Sequence, residues 1–257
     1  MSDTATASAE RPEKTVGYRA KFGVITPSTN TAVESDYNTI RPPGVTFHVG
    51  RMWIQKRTDN DEEADKTLRQ MRETIDTAIR DVVTCEPDRL ICGMSSETFM
   101  GGLEGNTKFI KHAEEISGLK VTTGADSVSA ALDHFGARKI AVLTPYQQII
   151  DVQVEKFFSD LGYDLVRMKG LRVPHALAAA RIPPERLREV LLELDGSDVD
   201  AIVQAGANLS LIEVAEEMEE RLEKPVIALN IATVWHALRA VGINDQFRGF
   251  GSLFSKA

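Results

Sequence analysis

Cysteine is nearly absent from this chain: Cys85 and Cys92 are its only two. Without an evident secretion signal, so few thiols exclude a disulfide framework and point to a reducing, cytoplasmic setting. No apolar run approaches the ~20 residues of a membrane span, so no membrane partner is expected. Basic residues are outnumbered, 30 Lys and Arg against 38 Asp and Glu, for a formal charge of -8. A phosphate backbone needs a basic stripe, so nucleic acid is not an expected partner either. The five histidines are scattered, with neither His-x-x-x-His nor Cys-x-x-Cys spacing, and there is no Gly-x-Gly-x-x-Gly or Walker loop. The chemistry expected is therefore free of metal and of cofactors.

Hydrophobic residues make up 42% of the 257, enough to bury a large core. Residues 1–17 hold almost no large apolar side chain and read as a flexible tail. Beyond them β-prone runs alternate with helical patterns. Ala20 to Thr26 is a short strand stopping at Pro27, and Thr31 with Glu34 fits a capping box for the helix that follows. Val45 to Val49 is a second strand, with His48 half-buried, and 59–83 a long helix with Leu68, Met71, Ile75, Ile79 and Val82 at helical spacing. Arg89 to Met94 is a strand, Asn106 to Ile116 a helix, Lys120 to Thr123 a strand, and Ala125 to Phe135 a helix ending at Gly136. This alternation means an α/β protein with parallel sheets.

The second half repeats the first in the same order. Gly23-Val24-Ile25-Thr26-Pro27 is echoed by Ala141-Val142-Leu143-Thr144-Pro145, Arg89 to Met94 by Asp200 to Gly206, and Lys120 to Gly136 by Pro225 to Gly242. Two pseudo-symmetric lobes follow, 18–124 and 125–240, with 241–257 a closing segment that can return to the first. Ligands in open α/β sheets bind beyond the carboxyl ends of strands, so a cleft is expected between Thr26–Thr31, Met94–Thr98, Thr144–Tyr146 and Ala205–Ser210. Small hydroxyl residues and glycines dominate the stretch from Leu90 to Gly102, as suits a strand that ends at a ligand.

These residues resemble the aspartate/glutamate racemase superfamily, and within it the maleate cis-trans isomerases and arylmalonate decarboxylases. Pro27-Ser28-Thr29-Asn30-Thr31-Ala32-Val33-Glu34 is similar to the isomerase Pro-Ser-Ser-Asn-Thr-x-x-Glu segment. Leu143-Thr144-Pro145-Tyr146 resembles the tyrosine loop of both groups, and Gly93 to Phe99 the decarboxylase Gly-Thr-Ser-x-Ser-Phe loop. Trp235 to Arg239 and Gly249 to Phe254 also resemble the decarboxylase, so the likeness runs from about Val16 to Phe254. It implies two flavodoxin-like lobes, each a parallel sheet flanked by helices, and cofactor-independent isomerase, racemase or decarboxylase chemistry on a small carboxylate or dicarboxylate through an enediolate-type anion. A homo-oligomer is compatible with it.

The resemblance also implies catalytic cysteines, and here the chain departs. Counting back from Phe99 sets the first-lobe position on Met94, and from Leu211 the second on Ala205; neither side chain exchanges a proton. Cys92 lies two residues before Met94, about 6–7 Å further back along the strand, and reads as a buried strand residue. The remaining candidates are neutral donors. Ser95, Ser96 and Tyr146, with Glu97 as a carboxylate in the same loop, are the expected catalytic groups. Asn30, Ser28, Thr144, Gly206, Ala207, Asn208 and His175 are expected to bind substrate. Two other readings stay open: a carboxylate-binding protein that lost catalysis, and a lyase or hydrolase using Glu97 or His175.

Overall fold

The computed structural model describes residues 15–54 and 61–255; most of the expected tail and the start of the long helix at 59 lie outside them, as does the Leu68 side chain. The first lobe runs β1 (Ala20–Pro27), α1 (Val33–Ile40), β2 (Val45–Met52), α2 (Asp61–Val83), β3 (Arg89–Cys92), α3 (Ser96–Phe99), α4 (Gly102–Ser117) and β4 (Val121–Thr123), after which α5 (Gly124–Phe135) leads to the second lobe. There follow β5 (Lys139–Thr144), α6 (Gln148–Asp160), β6 (Asp164–Gly170), α7 (Ala176–Ala179), α8 (Pro184–Leu194), β7 (Ala201–Gln204), α9 (Ala215–Leu222), β8 (Val226–Ala228), α10 (Leu229–Ala240) and α11 (Ser252–Ser255). Each lobe holds a four-stranded, all-parallel sheet, ordered β2-β1-β3-β4 and β6-β5-β7-β8. The inner strands are almost wholly apolar because both faces are covered: Phe22, Val24, Ile25, Leu90 and Ile91 in one sheet and Ile140, Val142, Leu143, Ile202 and Val203 in the other are fully buried.

The two sheets share one strand order, as the repeat suggested, and β1 with β3 pairs in the same register as β5 with β7, whereas β5 with β6 carries a register shift at Ile140 and Ala141 that β1 with β2 lacks. Ile25 pairs with Cys92 and the Gly93 N–H donates to the Ile25 carbonyl; Leu143 pairs with Gln204 and the Ala205 N–H donates to the Leu143 carbonyl. Both Ile25 and Leu143 precede a Thr-Pro pair, so both lobes deliver a loop from the same strand ends.

Several local expectations shift. The capping box at Thr31 and Glu34 does not form: the Asn30 carboxamide oxygen accepts from the Ala32 and Val33 N–H groups at 3.0 and 2.9 Å, and Glu34 pairs with Arg51 instead. β3 stops at Cys92 rather than Met94, because the chain turns there into α3, a helical turn that sequence periodicity is too short to reveal. α4 begins at Gly102, four residues before the expected start, where Gly101 and Gly102 both take positive φ (77° and 67°). In the closing segment, Asp245 pairs with Arg19 at the start of β1, while Ser252 donates to Glu219 of α9 and Phe254 stacks on Phe247. Its described residues thus touch both lobes.

Candidate active site

Where the strands of the two sheets end toward each other, they enclose a cavity of about 180 Å³. The loop after β1 supplies Pro27, Thr29 and Asn30; the turn after β3 supplies Met94, Ser95 and Ser96; the loop after β5 supplies Pro145, Tyr146 and Gln147; and the loop after β7 supplies Ala207 and Asn208. The segment following β6 roofs it with Val173, Pro174, His175 and Ala176. Ile54, Met71, Ile150 and Ala179 complete a largely apolar side. Among the described residues, no lysine, arginine or carboxylate is on the wall.

The polar wall is built around Ser95. Its Oγ accepts from the Ala207 N–H at 2.7 Å and is hydrogen-bonded to the Tyr146 hydroxyl, joining the first lobe to two loops of the second. Burial pushes the Tyr146 phenol up, more than the Ser95 bond brings it down. It is therefore a neutral hydroxyl, able to donate. Ser96 heads α3 and faces the cavity with no hydrogen-bonded protein partner among the described residues. Asn30 is 5% exposed; with its oxygen fixed by the head of α1, its amide Nδ2 is left as the donor half of a rigid carboxamide. His175 accepts the Ala178 N–H at Nδ1 (3.1 Å), which puts the proton of the neutral ring on Nε2.

The structure brings Asn30, Met94, Ser95, Ser96, Tyr146, His175, Ala207 and Asn208 to one cavity and leaves other candidates outside its lining. Ser28 accepts the Ile54 N–H at 2.9 Å and supports the loop rather than a ligand. Thr144 is fully buried and donates to Asp151. Gly206 is packed under Pro145, leaving no room for a Cβ. Glu97 points out of the cavity into an ion pair with Arg72 at 2.7 Å; burial raises its carboxyl more than that pair lowers it. Asn208 lines the cavity, but its oxygen accepts from Thr31 and Ala32 (2.9 and 3.1 Å) and its amide donates to Ala176 (2.8 Å) and Thr29. It is a clasp across the lobes, holding the turn before α1, rather than a spare amide donor.

The sheet register relates the two strand ends. Ala205 corresponds to Gly93 and Gly206 to Met94, so within the two-lobe repeat the counterpart of Met94 is Gly206. Met94 presents a thioether, and Ala205 is fully buried. Cys92 is buried, with its thiol pushed up by desolvation, and Cys85 donates to the Val82 carbonyl. Neither thiol reaches the cavity. Among the described residues no three His, Cys, Asp or Glu side chains form a metal-ligating set. Ile54, Met71, Ile150 and Val173 went unread as site residues; Met71 sits in the same helical stripe as core positions, and periodicity does not separate a core from a cavity wall.

Two parallel-sheet lobes closed on a cleft of neutral donors define a two-lobed α/β protein with a small-molecule site. The family model for arylmalonate decarboxylase matches residues 23–254, and the chain belongs to that family. It is 26% identical over 250 residues to the maleate isomerase of Pseudomonas putida, covering 92% of this chain and 98% of that one. It is 25% identical over 166 residues to the arylmalonate decarboxylase of Bordetella bronchiseptica, covering 63% and 69%. In fold it matches a cysteine variant of the Nocardia farcinica maleate cis-trans isomerase that carries a covalently bound succinylcysteine intermediate: TM-score 0.84, 22% identity, 93% of this chain and 99% of that chain. Its relatives are thus isomerases and decarboxylases. None of the described helices is long and apolar enough to cross a membrane.

Proposed function

We propose that this protein is a cofactor-independent decarboxylase of a small 2-substituted malonate, working through an enediolate held by neutral donors. The observation that carries the reading is the wall itself: Ser95, Ser96, Tyr146 and Asn30 converge on one cavity with no thiol and no carboxylate among them. Isomerisation by the route of the Nocardia relative needs a cysteine to bond to the alkene, and racemisation needs a base to remove a proton. Decarboxylation needs neither. The C–C bond to one carboxylate breaks, carbon dioxide leaves, and the electron pair passes into the remaining carboxylate to give the enediolate. A proton then returns to carbon.

In this reading Asn30 Nδ2 orients the retained carboxylate, and Ser96 Oγ donates to an enediolate oxygen as charge builds there. One donor of that kind is typically worth about 3–4 kcal/mol in the transition state. Tyr146 delivers the proton to carbon, with the Ser95 hydroxyl positioned to hydrogen-bond the phenolate it leaves. The apolar side formed by Ile54, Met71, Ile150 and Val173 takes the 2-substituent and excludes water from the leaving carboxylate.

The test is a paired assay with phenylmalonate and maleate as probes. Release of carbon dioxide from the malonate, with no fumarate formed from maleate, is expected. Fumarate without carbon dioxide would replace the reading with isomerisation. Tight calorimetric binding of both acids with no turnover would favour a carboxylate-binding protein, which the lack of any thiol among the described wall residues also suits.

A further inference from the structure

Behind the Tyr146 loop lies a cluster that the reaction outlined above does not use. Asp151 of α6 is 2% exposed and forms an ion pair with Arg172, which follows β6. The Asp151 carboxylate also accepts the Thr144 hydroxyl, whose Oγ1 in turn accepts the Tyr146 N–H at 3.3 Å. The Arg172 guanidinium continues outward, donating to the Tyr146 carbonyl at 2.7 Å and to Gln148 Oε1 at 2.6 Å. Gln147 donates to the Val173 carbonyl, and the Val173 N–H to the Pro145 carbonyl. Every residue from Thr144 to Gln148 is thereby tied to the Asp151–Arg172 pair or to the strap after β6.

Two backbone features make this arrangement costly enough to need a reason. Arg172 holds a positive φ of 54°, a conformation that L-residues with long side chains rarely adopt. Gly170 lies against the pair so closely that a Cβ there would overlap both Arg172 Nη1 and Asp151 Oδ2. A lysine could not replace the arginine, since one ammonium cannot span the carboxylate, the Tyr146 carbonyl and Gln148 in a planar fork.

We propose that Arg172, anchored by Asp151, is a positioning residue that holds the Tyr146 loop so that the phenol meets Ser95 at the cavity wall. This rests on the reading that Tyr146 serves the reaction, but the geometry it asserts is separable from that reading. Arg172 does not touch the cavity; its guanidinium acts through the backbone of residue 146.

The experiment uses the full chain labelled at tyrosine Cζ with carbon-13. Four signals arise, from Tyr18, Tyr37, Tyr146 and Tyr163, and Tyr146→Phe assigns the one of interest. In folded Arg172→Ala that signal is expected to shift or broaden while the other three hold, and millimolar guanidinium, entering the 40% exposed Arg172 side-chain position, should restore it. With phenylmalonate as substrate, kcat should fall by about 10²-fold, the scale of a small misplacement of a reacting group, with KM nearly unchanged, and guanidinium should recover it. A Tyr146 signal that stays in place in folded Arg172→Ala overturns the proposal, as does a shifted signal that guanidinium leaves shifted. Gly170→Ala, which displaces the pair without removing a charge, must move the same signal if Arg172→Ala does not fold; an unmoved signal there overturns the proposal too. If the parent turns over no malonate, the decarboxylase reading fails and the tyrosine signal alone decides this one.

Discussion

Ser96→Ala is the substitution that most cleanly separates rate from stability. Ser96 Oγ is half-buried at the cavity wall and has no protein partner among the described residues, so its removal orphans nothing in the unliganded fold. Unfolding free energy should therefore change by no more than about 0.5 kcal/mol, as for an ordinary surface substitution. The hydroxyl gains its full worth only when the enediolate oxygen carries charge. Losing it should cost about 3–4 kcal/mol there, a fall in kcat of roughly 10²- to 10³-fold. Ser95→Ala is the contrast. It strips partners from the Ala207 N–H and the Tyr146 hydroxyl at once, at about 1–3 kcal/mol for each polar group left buried and unpaired. At this chain length that is a drop in Tm on the order of 5–10 °C. Carbon dioxide release, calorimetric binding of phenylmalonate and thermal unfolding, measured side by side, test the pair. If Ser96→Ala weakens binding as much as it slows turnover, Ser96 serves the ground state and the argument fails; if it lowers Tm as far as Ser95→Ala does, the two hydroxyls have been given each other's roles.

Asn30→Asp keeps the oxygen that accepts from Ala32 and Val33 but turns the amide donor into a carboxylate facing the substrate; Tm should hold while affinity for a malonate falls more than tenfold, and unchanged affinity would remove Asn30 from the site. Glu97→Gln should leave turnover essentially as it was, because Glu97 faces Arg72 and not the cavity; a collapse of kcat in a folded variant would restore Glu97 as a candidate base. Asp36, buried between the lobes and bonded to Ser210 and Asn230, has its carboxyl raised chiefly by burial. The folded state then holds that proton to higher pH than the unfolded chain does, so stability should fall as pH rises from the ordinary carboxylate value near ~4 through the raised one. Asp36→Asn should flatten that slope in urea unfolding across pH, and parallel curves for parent and variant would show that the burial cost is met elsewhere.

The α/β architecture and the two-lobe repeat were legible because parallel strands buried on both faces leave continuous apolar runs, and Thr26-Pro27 and Thr144-Pro145 mark equivalent strand ends. The wall residues Asn30, Ser95, Ser96 and Tyr146 were legible for a related reason: hydroxyls and amides at the ends of such strands face the cleft. What the sequence hid was partnership across distance. Nothing local shows that Asn208 holds the Thr31 N–H from 177 residues away, or that Glu97 pairs with Arg72. Thr144 looked like a donor to substrate, but its hydroxyl donates to Asp151. Arg172 carried no signal at all, since its role depends on a positive φ and on the space left by Gly170.

The central claim is that this cavity handles a carboxylate without a thiol. It is tested most directly by the variant Cys85→Ser/Cys92→Ala, supplied with phenylmalonate in deuterated water and followed by NMR. Turnover within tenfold of the parent, about 1.4 kcal/mol in the barrier, with one deuterium placed on the carbon that lost carbon dioxide, is the predicted result. A folded variant that releases no carbon dioxide while the parent does would contradict the account and return a cysteine to the chemistry.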